Sequence, residues 1–470
     1  MSGHSSAAVP KTVLVWQMPG NFAGEDQHRL AHRRIGPLLR ERMGECAPQV
    51  VHATGPVSEV IERCDPRSPS RPDVLVLPAF RDHAWRSLEA VRKLAERAPE
   101  LPVLLSGWGA EPDYVDAICG DTPIAHRRFF LARGEVEETL VDALELLVTG
   151  SAEPGHEPDL ERLGLARPDG RGGWASRGRF RSVEDLSKLP SPYLHGAMEP
   201  ADAGGMVLVE VARGCLFRCH FCLSCNYPRQ AVRPFPLDRI RAEIEYAATR
   251  GAPHVGLLCS GLNYDVDVIE AVADTLGAIA PERRPRVDST VHASLLDDRR
   301  LRAVQRIPWG RMIVGLQSIN PEALALMHRD VDPPAFRRAI ERIAAFHTPV
   351  IELILALPGD SLPAFAATMR FVLSLPVEVE VYHLRLDPGS IYFQRRKELG
   401  LEADFTREGR IVSTPTFSQE DLARAQSILR EIGSRPWRYP ARRLGFDFEL
   451  LYGGAATGGE RGNSGRSERR

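Results

Sequence analysis

Three thiols stand close together in this chain, at Cys215, Cys219 and Cys222, in the run Val207-Leu-Val-Glu-Val-Ala-Arg-Gly-Cys215-Leu-Phe-Arg-Cys219-His-Phe-Cys222. The C-x3-C-x2-C spacing lets one short loop wrap a compact inorganic centre. A [4Fe–4S] cube takes four thiolates, one per iron, so three thiolates leave one iron open to a substrate or cosubstrate. Zinc is the alternative. It closes a tetrahedron with a fourth ligand, and Cys225 and His220 stand nearby. Spacing alone leaves both open.

The elements around the thiols say where such a centre would sit. Val207 to Val211 is an apolar, β-branched run that reads as a buried strand, and Arg213-Gly214 turns out of it. The thiols then occupy a loop at the strand's C-terminal end. Phe235 to Gly251 reads as an amphipathic helix with Ile240 and Ile244 on one face. Strands are expected at 254–258, 286–292, 311–315, 350–356 and 377–386, separated by helical segments. That alternation fits a partial or complete (β/α) barrel with its chemistry at the C-terminal mouth.

Ahead of it, Thr12 to Trp16, Gln49 to Ala53, Asp73 to Pro78 and Pro102 to Ser106 read as short buried strands alternating with helical patterns. They argue for a doubly wound parallel sheet that places a ligand at its C-terminal edge. Ser106-Gly107-Trp108-Gly109-Ala110 lies at that edge, where two glycines let backbone approach a flat ligand. The expected organisation is α/β throughout: a Rossmann-type domain at 11–150, an irregular linker rich in Pro and Gly at 151–204, a barrel at 205–395, a C-terminal module at 396–452 and a disordered tail at 453–470.

Composition limits the function classes. The chain has 470 residues, a hydrophobic fraction of 43% and a formal net charge of -2, which gives no argument for a nucleic-acid partner. Positive charge is carried almost entirely by arginine, since lysine occurs only at Lys11, Lys93, Lys188 and Lys397. No apolar run approaches the ~18 residues of a membrane span, and the start is polar and small, so a cytoplasmic protein without membrane association is expected. Eight cysteines in such a chain suggest thiols and a metal centre in place of disulfides.

The motifs resemble the radical SAM superfamily, and within it the members fused to an N-terminal cobalamin-binding domain. The cysteine spacing with an aromatic, Phe221, before the last thiol is the superfamily's signature. Gly315-Leu-Gln317-Ser318 resembles its "GxQS" segment, and Leu357-Pro358-Gly359 its "GLPG" turn. Gly134-Glu135-Val136-Glu137-Glu138-Thr139 resembles the "GEGE-x-T" ending of the fused cobalamin domain, and Asp185-Leu-Ser-Lys-Leu-Pro190-Ser-Pro192-Tyr193 the run ahead of the core.

The resemblance implies that Cys215, Cys219 and Cys222 hold a [4Fe–4S] cluster whose open iron chelates S-adenosylmethionine (SAM). Phe221, Gln317, Ser318, Pro358 and Gly359 would contact SAM, with Ser260 and Gly261 the positional candidates for its amino group. Gly107, Gly109 and Gly134 would line the cobalamin edge, and His28 is a near match to the cobalt ligand of the Asp-x-His-x-x-Gly motif. Among polar residues near strand ends, namely Glu210, Asp288, Glu352, Tyr382, His383 and Arg385, the expected substrate-lining pair is Glu352 and Arg385. Tyr382 and His383 should face opposite sides of their strand.

The implied activity is radical modification of a small molecule in specialised biosynthesis, foremost cobalamin-dependent methyl transfer, with flavodoxin or ferredoxin as electron donor. A cobalamin-free radical dehydration of a sugar diol is the alternative. A zinc- or cluster-holding binding module without SAM chemistry is a third.

Overall fold

The computed structural model describes residues 11–18, 26–79, 84–149, 160–200, 205–223, 231–432 and 438–440; Cys225 and the expected tail lie outside them. Two seven-stranded sheets carry the molecule. The first runs in the order β2-β1-β3-β4-β5-β6-β7, from β1 (Thr12–Gln17), β2 (Gln49–Thr54), β3 (Val74–Pro78), β4 (Val103–Ser106), β5 (Phe129–Ala132), β6 (Leu165–Pro168) and β7 (Trp174–Arg177). β1 to β5 are parallel. β3 and β4 are buried along their whole length. Helices Asp26–Met43 and Val136–Thr149 cover one face, and Ala84–Arg97 the other. This is the expected doubly wound domain.

The linker differs from expectation. β6 and β7 form an antiparallel hairpin that extends the first sheet beyond β5. Its glycines are turn residues: Gly170 and Gly172 lie at φ +72° and +93°, and Asp169 accepts the Arg171 and Gly173 amides at 2.7 and 2.9 Å. A Pro- and Gly-rich composition is that of a hairpin turn as much as of a loose connection.

The second sheet comprises β8 (Val207–Glu210), β11 (His254–Leu258), β12 (Arg286–Thr290), β13 (Trp309–Gln317), β14 (Val350–Leu355) and β15 (Glu378–His383), all parallel, in that spatial order. β18 (Arg438–Pro440) joins antiparallel beyond β15. Burial alternates along the strands as a half-barrel requires. Met312 and Val314, Ile351 and Leu353, and Val379 and Val381 are buried outward against helices, while Arg311, Glu352 and Glu380 face the interior. Two short ladders complete the fold, β9 (Ala212–Arg213) with β10 (Arg233–Pro234), and β16 (Glu402–Asp404) with β17 (Arg410–Ser413). Among the described residues no helix is long and apolar enough to cross a membrane.

Candidate functional site

The root of the cysteine loop is clamped twice. β9 leads into Cys215 and β10 leads out of the loop, and their antiparallel pairing of Arg213 with Arg233 closes it. Gly214, at φ +95°, turns the chain there, and a Cβ on it would stand 2.5 Å from the Ala231 carbonyl oxygen.

The second clamp is ionic and comes from the N-terminal domain. Glu137 accepts from Arg34 Nη1 at 3.1 Å and from Arg213 Nη2 and Nη1 at 2.5 and 3.2 Å. Glu210, at the end of β8, accepts from Arg34 Nη1 at 2.5 Å and Arg213 Nε at 2.9 Å. Glu135 holds Arg233 and accepts the Val183 amide at 2.6 Å. Arg34, Arg213 and Arg239 pack over the Phe235 ring, at 5.5, 5.7 and 4.5 Å from its centroid. Arg34, Glu137 and Glu210 are buried. Burial pushes the Glu137 carboxyl up, yet Arg213 and Arg34 prevail and hold it down at about 2.

The thiols carry their own donors. Cys215 Sγ receives the Phe217 amide at 3.4 Å and lies 3.3 Å from Tyr264 Oη. Cys219 is buried, and Arg329 Nη1 approaches its Sγ at 3.6 Å while Nη2 donates to the Gly315 carbonyl at 2.6 Å. Burial pushes the Cys219 thiol up, against the pull of Arg329. The Cys222 amide donates to the Cys219 carbonyl at 2.9 Å, tightening the second half of the loop. His220 is anchored to Leu326 and Met327 carbonyls, and its own carbonyl accepts the Tyr392 amide at 3.0 Å.

This donor set fits a cluster, because three thiolates of one loop are available and amide, phenol and guanidinium N–H or O–H groups are placed to bond reduced sulfur. Among the described residues no three His, Cys, Asp or Glu side chains converge closely enough for a single metal ion. A cube, in contrast, takes each thiolate on a different iron.

Around the same mouth, β13 ends with Gln317 at φ +72°, and its buried Oε1 has no hydrogen-bond partner among the described residues. An orphaned acceptor in a binding mouth suits a ligand donor. Ser318 turns the other way, its Oγ accepting the Asn320 amide at 3.0 Å and lying 3.4 Å from Thr368 Oγ1, so its hydroxyl is spent on the fold. Asn320 ties this segment to the next turn by donating to the Gly359 carbonyl at 2.9 Å and to Asp360 Oδ1 at 3.2 Å. Gly359, at φ +76°, packs so closely on the helix Pro321–Met327 that a Cβ would meet Glu322 and Leu326 at 2.9 Å. Pro358 lies in the same turn, and Phe221 is half-buried beside the cysteines.

Inside the barrel, Glu380 accepts Tyr382 Oη at 2.9 Å and is paired with Arg311. Burial, then the Glu380 carboxylate, pushes the neighbouring Glu352 up to about 7. Glu352 stands between the outward-packed Ile351 and Leu353, on the interior face of its strand. Arg385 is paired with Glu408 of the C-terminal module. Glu210 belongs to the interdomain ion cluster. Asp288 is held by His254 Nδ1 at 3.2 Å. Tyr382 and His383 face opposite ways, since His383 Nδ1 meets Gln426 at 2.9 Å.

The glycines nominated for a flat ligand fare unevenly. Gly134 is covered by the linker, where a Cβ would stand 2.1 Å from the Arg181 carbonyl oxygen. At Gly109 a Cβ would stand 2.9 Å from that of Ala79. Gly107 lies at φ +105°, a backbone conformation that favours glycine. Trp108 tilts against Phe180, centroids 6.5 Å apart. His28 falls in the helix Asp26–Met43, and its side chain lies outside the described residues.

Sequence reading passed over Arg329 and Tyr264. Neither has a spacing signal. Arg329 is delivered by the left-handed His328, φ +53°, which ends the preceding helix.

Residues 209–372 match the family model of the Radical SAM superfamily. The cobalamin-dependent radical SAM methyltransferase TokK of Streptomyces tokunonensis is 26% identical over 365 residues, 69% of this chain and 51% of that protein. The 2-(S-pantetheinyl)-carbapenam-3-carboxylate methyltransferase of Streptantibioticus cattleyicolor is 27% identical over 313 residues, 63% of this chain and 44% of that protein. The chain thus spans about half the length of the curated relatives it matches. Among solved structures, TsrM from Kitasatospora setae with cobalamin and a [4Fe–4S] cluster gives a TM-score of 0.61 at 13% identity, over 84% of this chain and 79% of that one. OxsB with aqua-cobalamin and SAM gives 0.65 at 14%, over 90% and 67%. At these identities the structural likeness is one of fold. A radical SAM domain thus covers the cysteine loop and most of the barrel behind a Rossmann-type sheet, and the chain as a whole is similar to cobalamin-dependent radical SAM methyltransferases in sequence and to cobalamin-binding radical SAM enzymes in fold.

Proposed function

We propose that this chain catalyses radical methyl transfer to an unactivated carbon of a small molecule in natural-product biosynthesis, using a [4Fe–4S] cluster, SAM and cobalamin. The observation that carries the reading is the buried ion cluster, which locks the Rossmann-type domain onto the root of the cysteine loop. A protein that needs two cofactors at a fixed separation benefits from such a lock. When bound, the cluster supplies the electron that cleaves SAM reductively to methionine and a 5′-deoxyadenosyl radical, and cobalamin supplies a transferable methyl group.

The chain's own residues bind and orient. Cys215, Cys219 and Cys222 hold three irons. Gln317 Oε1 accepts a hydrogen bond from SAM, while Phe221 and the Pro358-Gly359 turn flank it, and Arg329 places positive charge beside Cys219 for a carboxylate. Glu352, close to half-protonated near pH 7, presents to the substrate a group that both donates and accepts. An acidic one-electron carrier of the flavodoxin or ferredoxin type would reduce the cluster in the cytoplasm.

Gly109 and Gly134, packed against protein backbone, and Trp108 between the two edge glycines favour a second reading in which the domain keeps the fold without cobalamin and the radical acts alone, as in dehydration of a diol. Anaerobic reconstitution with iron, sulfide and hydroxocobalamin, followed by gel filtration and an absorbance scan, decides between them. Stoichiometric cobalamin with a methylated product supports methyl transfer. Failure to retain cobalamin, with 5′-deoxyadenosine still formed on adding substrate, overturns it in favour of the second reading.

A further inference from the structure

The segment after β11 is built to carry one phenol to the cysteine loop. Asn263 is buried, and its amide makes a reciprocal pair with His292, donating to the carbonyl at 2.8 Å and accepting the N–H at 2.7 Å. Arg300 Nε donates to the Asn263 carbonyl at 2.9 Å. The next residue, Tyr264, is thereby fixed. Its ring joins Phe217 and His292, with centroids 6.1 and 6.3 Å away, and Phe217 stacks on His292 at 4.0 Å. Gly261 makes room for it, since a Cβ there would stand 2.3 Å from ring carbon Cε1. The glycine is needed for Tyr264 whatever else the loop binds.

The hydroxyl then faces two acceptors with one proton, Cys215 Sγ at 3.3 Å and the Ser260 carbonyl oxygen at 3.2 Å. A carbonyl oxygen outcompetes a neutral thiol, whereas a thiolate that shares its charge with iron competes with the carbonyl on nearly even terms. An N–H donor arriving at the Ser260 carbonyl would draw on the same oxygen, weaken its hold on the phenol and turn the O–H to the sulfur. The hydrogen only rotates about the C–O bond, so no covalent bond is made or broken. A donor on a cluster sulfur stabilises the reduced, more negative cluster and raises its reduction potential.

We infer that Tyr264 is a positioning residue that couples SAM occupancy to cluster reduction, its O–H passing from the Ser260 carbonyl to Cys215 when an N–H of the SAM amino group takes that carbonyl. This rests on the reading of the β11 loop as the amino-group side of the SAM site. The cluster becomes easier to reduce when the cosubstrate to be cleaved is in place, which limits idle oxidation of the reduced cluster.

The test is an EPR-monitored redox titration of the cluster-loaded full chain, with and without SAM, in wild type and Tyr264→Phe. In the wild type, SAM should raise the equilibrium constant for reduction, and the variant should lose about tenfold of that rise, ~59 mV for one electron. An equal SAM-induced rise in a variant that still binds SAM overturns the inference. Should the variant fail to load a cluster, 3-fluorotyrosine placed at position 264 keeps the hydroxyl and makes it a stronger donor. It must then enlarge the SAM-induced rise, and an unchanged rise is equally fatal. If the loaded wild type binds no SAM at all, the proposed function falls, a result distinct from SAM binding without coupling.

Discussion

Glu137→Gln tests the joint between the two domains most directly, because the substitution keeps size and shape and removes one charge. In the wild type, two guanidiniums, Arg34 and Arg213, share two carboxylates, Glu137 and Glu210. The amide leaves the two cations with Glu210 and, for Arg213, the more distant Glu135 at 3.6 Å in a buried setting. Breaking a buried pair by removing one partner costs about 3–5 kcal/mol. Linkage gives a similar figure. The Glu137 carboxyl is held at about 2 against its ordinary 4.5, a shift of about 2.5 units, and at about 1.36 kcal/mol per unit this is about 3 kcal/mol. Because the folded-state pKa is depressed, that stabilisation is present above about pH 4.5 and is lost as pH falls towards about 2. Urea unfolding of wild type and Glu137→Gln at pH 7.5 should therefore differ by about 3 kcal/mol, the gap narrowing below pH 4.5. Glu138→Gln is the control, since Glu138 is 42% exposed and meets Arg181 at 3.4 Å, so it should cost less than about 1 kcal/mol. If Glu137→Gln lies within about 1 kcal/mol of wild type at pH 7.5, or matches Glu138→Gln, the joint is no buried lock and the argument from it fails.

Replacing any of Cys215, Cys219 or Cys222 by alanine should abolish the cluster's visible absorbance and SAM cleavage, whereas Cys259→Ala and Cys225→Ala should retain both; anaerobic absorbance and 5′-deoxyadenosine assays check this. Gln317→Ala should weaken SAM binding a few-fold to tenfold, one hydrogen bond being worth about 1 kcal/mol, by equilibrium dialysis of the loaded protein. Ser318→Ala should instead leave SAM affinity unchanged and lower stability by about 1 kcal/mol, measured by urea unfolding, because its hydroxyl serves the Asn320 amide. Glu352→Gln should be no less stable than wild type at pH 5 and more stable at pH 8. The raised carboxyl pKa of about 7 makes the wild type lose stability as pH rises from 4.5 through 7; parallel pH profiles of the two proteins would refute it.

Much of the fold was legible because its signals are local. Continuous apolar runs such as Val74–Pro78 mark parallel strands covered on both faces, and the thiol loop announces itself by spacing. What stayed hidden depends on contacts between distant segments. Glu210 and Arg385 sit at strand ends, which says where their backbone lies and nothing of what reaches them from another domain; Arg34 and Glu408 do. Gly170 and Gly172 signal a turn, while the strands they join are short and only partly buried. Tyr264 and Arg329 reach the thiols from 49 and 110 residues away, to Cys215 and Cys219 respectively. No period or motif encodes such a pairing.

The Gly134-to-Thr139 segment shows what a motif can conceal. Its resemblance to a cobalamin-domain ending directs attention to a cofactor edge, yet here Gly134 makes room for the Arg181 backbone, Glu135 holds Arg233, and Glu137 holds Arg34 and Arg213. Arg213 and Arg233 are the paired residues that close the cysteine loop. One hexapeptide of the first domain therefore grips both ends of the loop that would carry the cluster in the second. A charge buried in that way tolerates little displacement, since a shift that breaks its hydrogen bonds leaves it desolvated and unpaired. The spacing between the Rossmann-type edge and the thiols is accordingly set by buried carboxylate–guanidinium geometry, and the intervening linker is free to vary in composition as long as Val183 and Pro190 still meet Glu135 and Arg34.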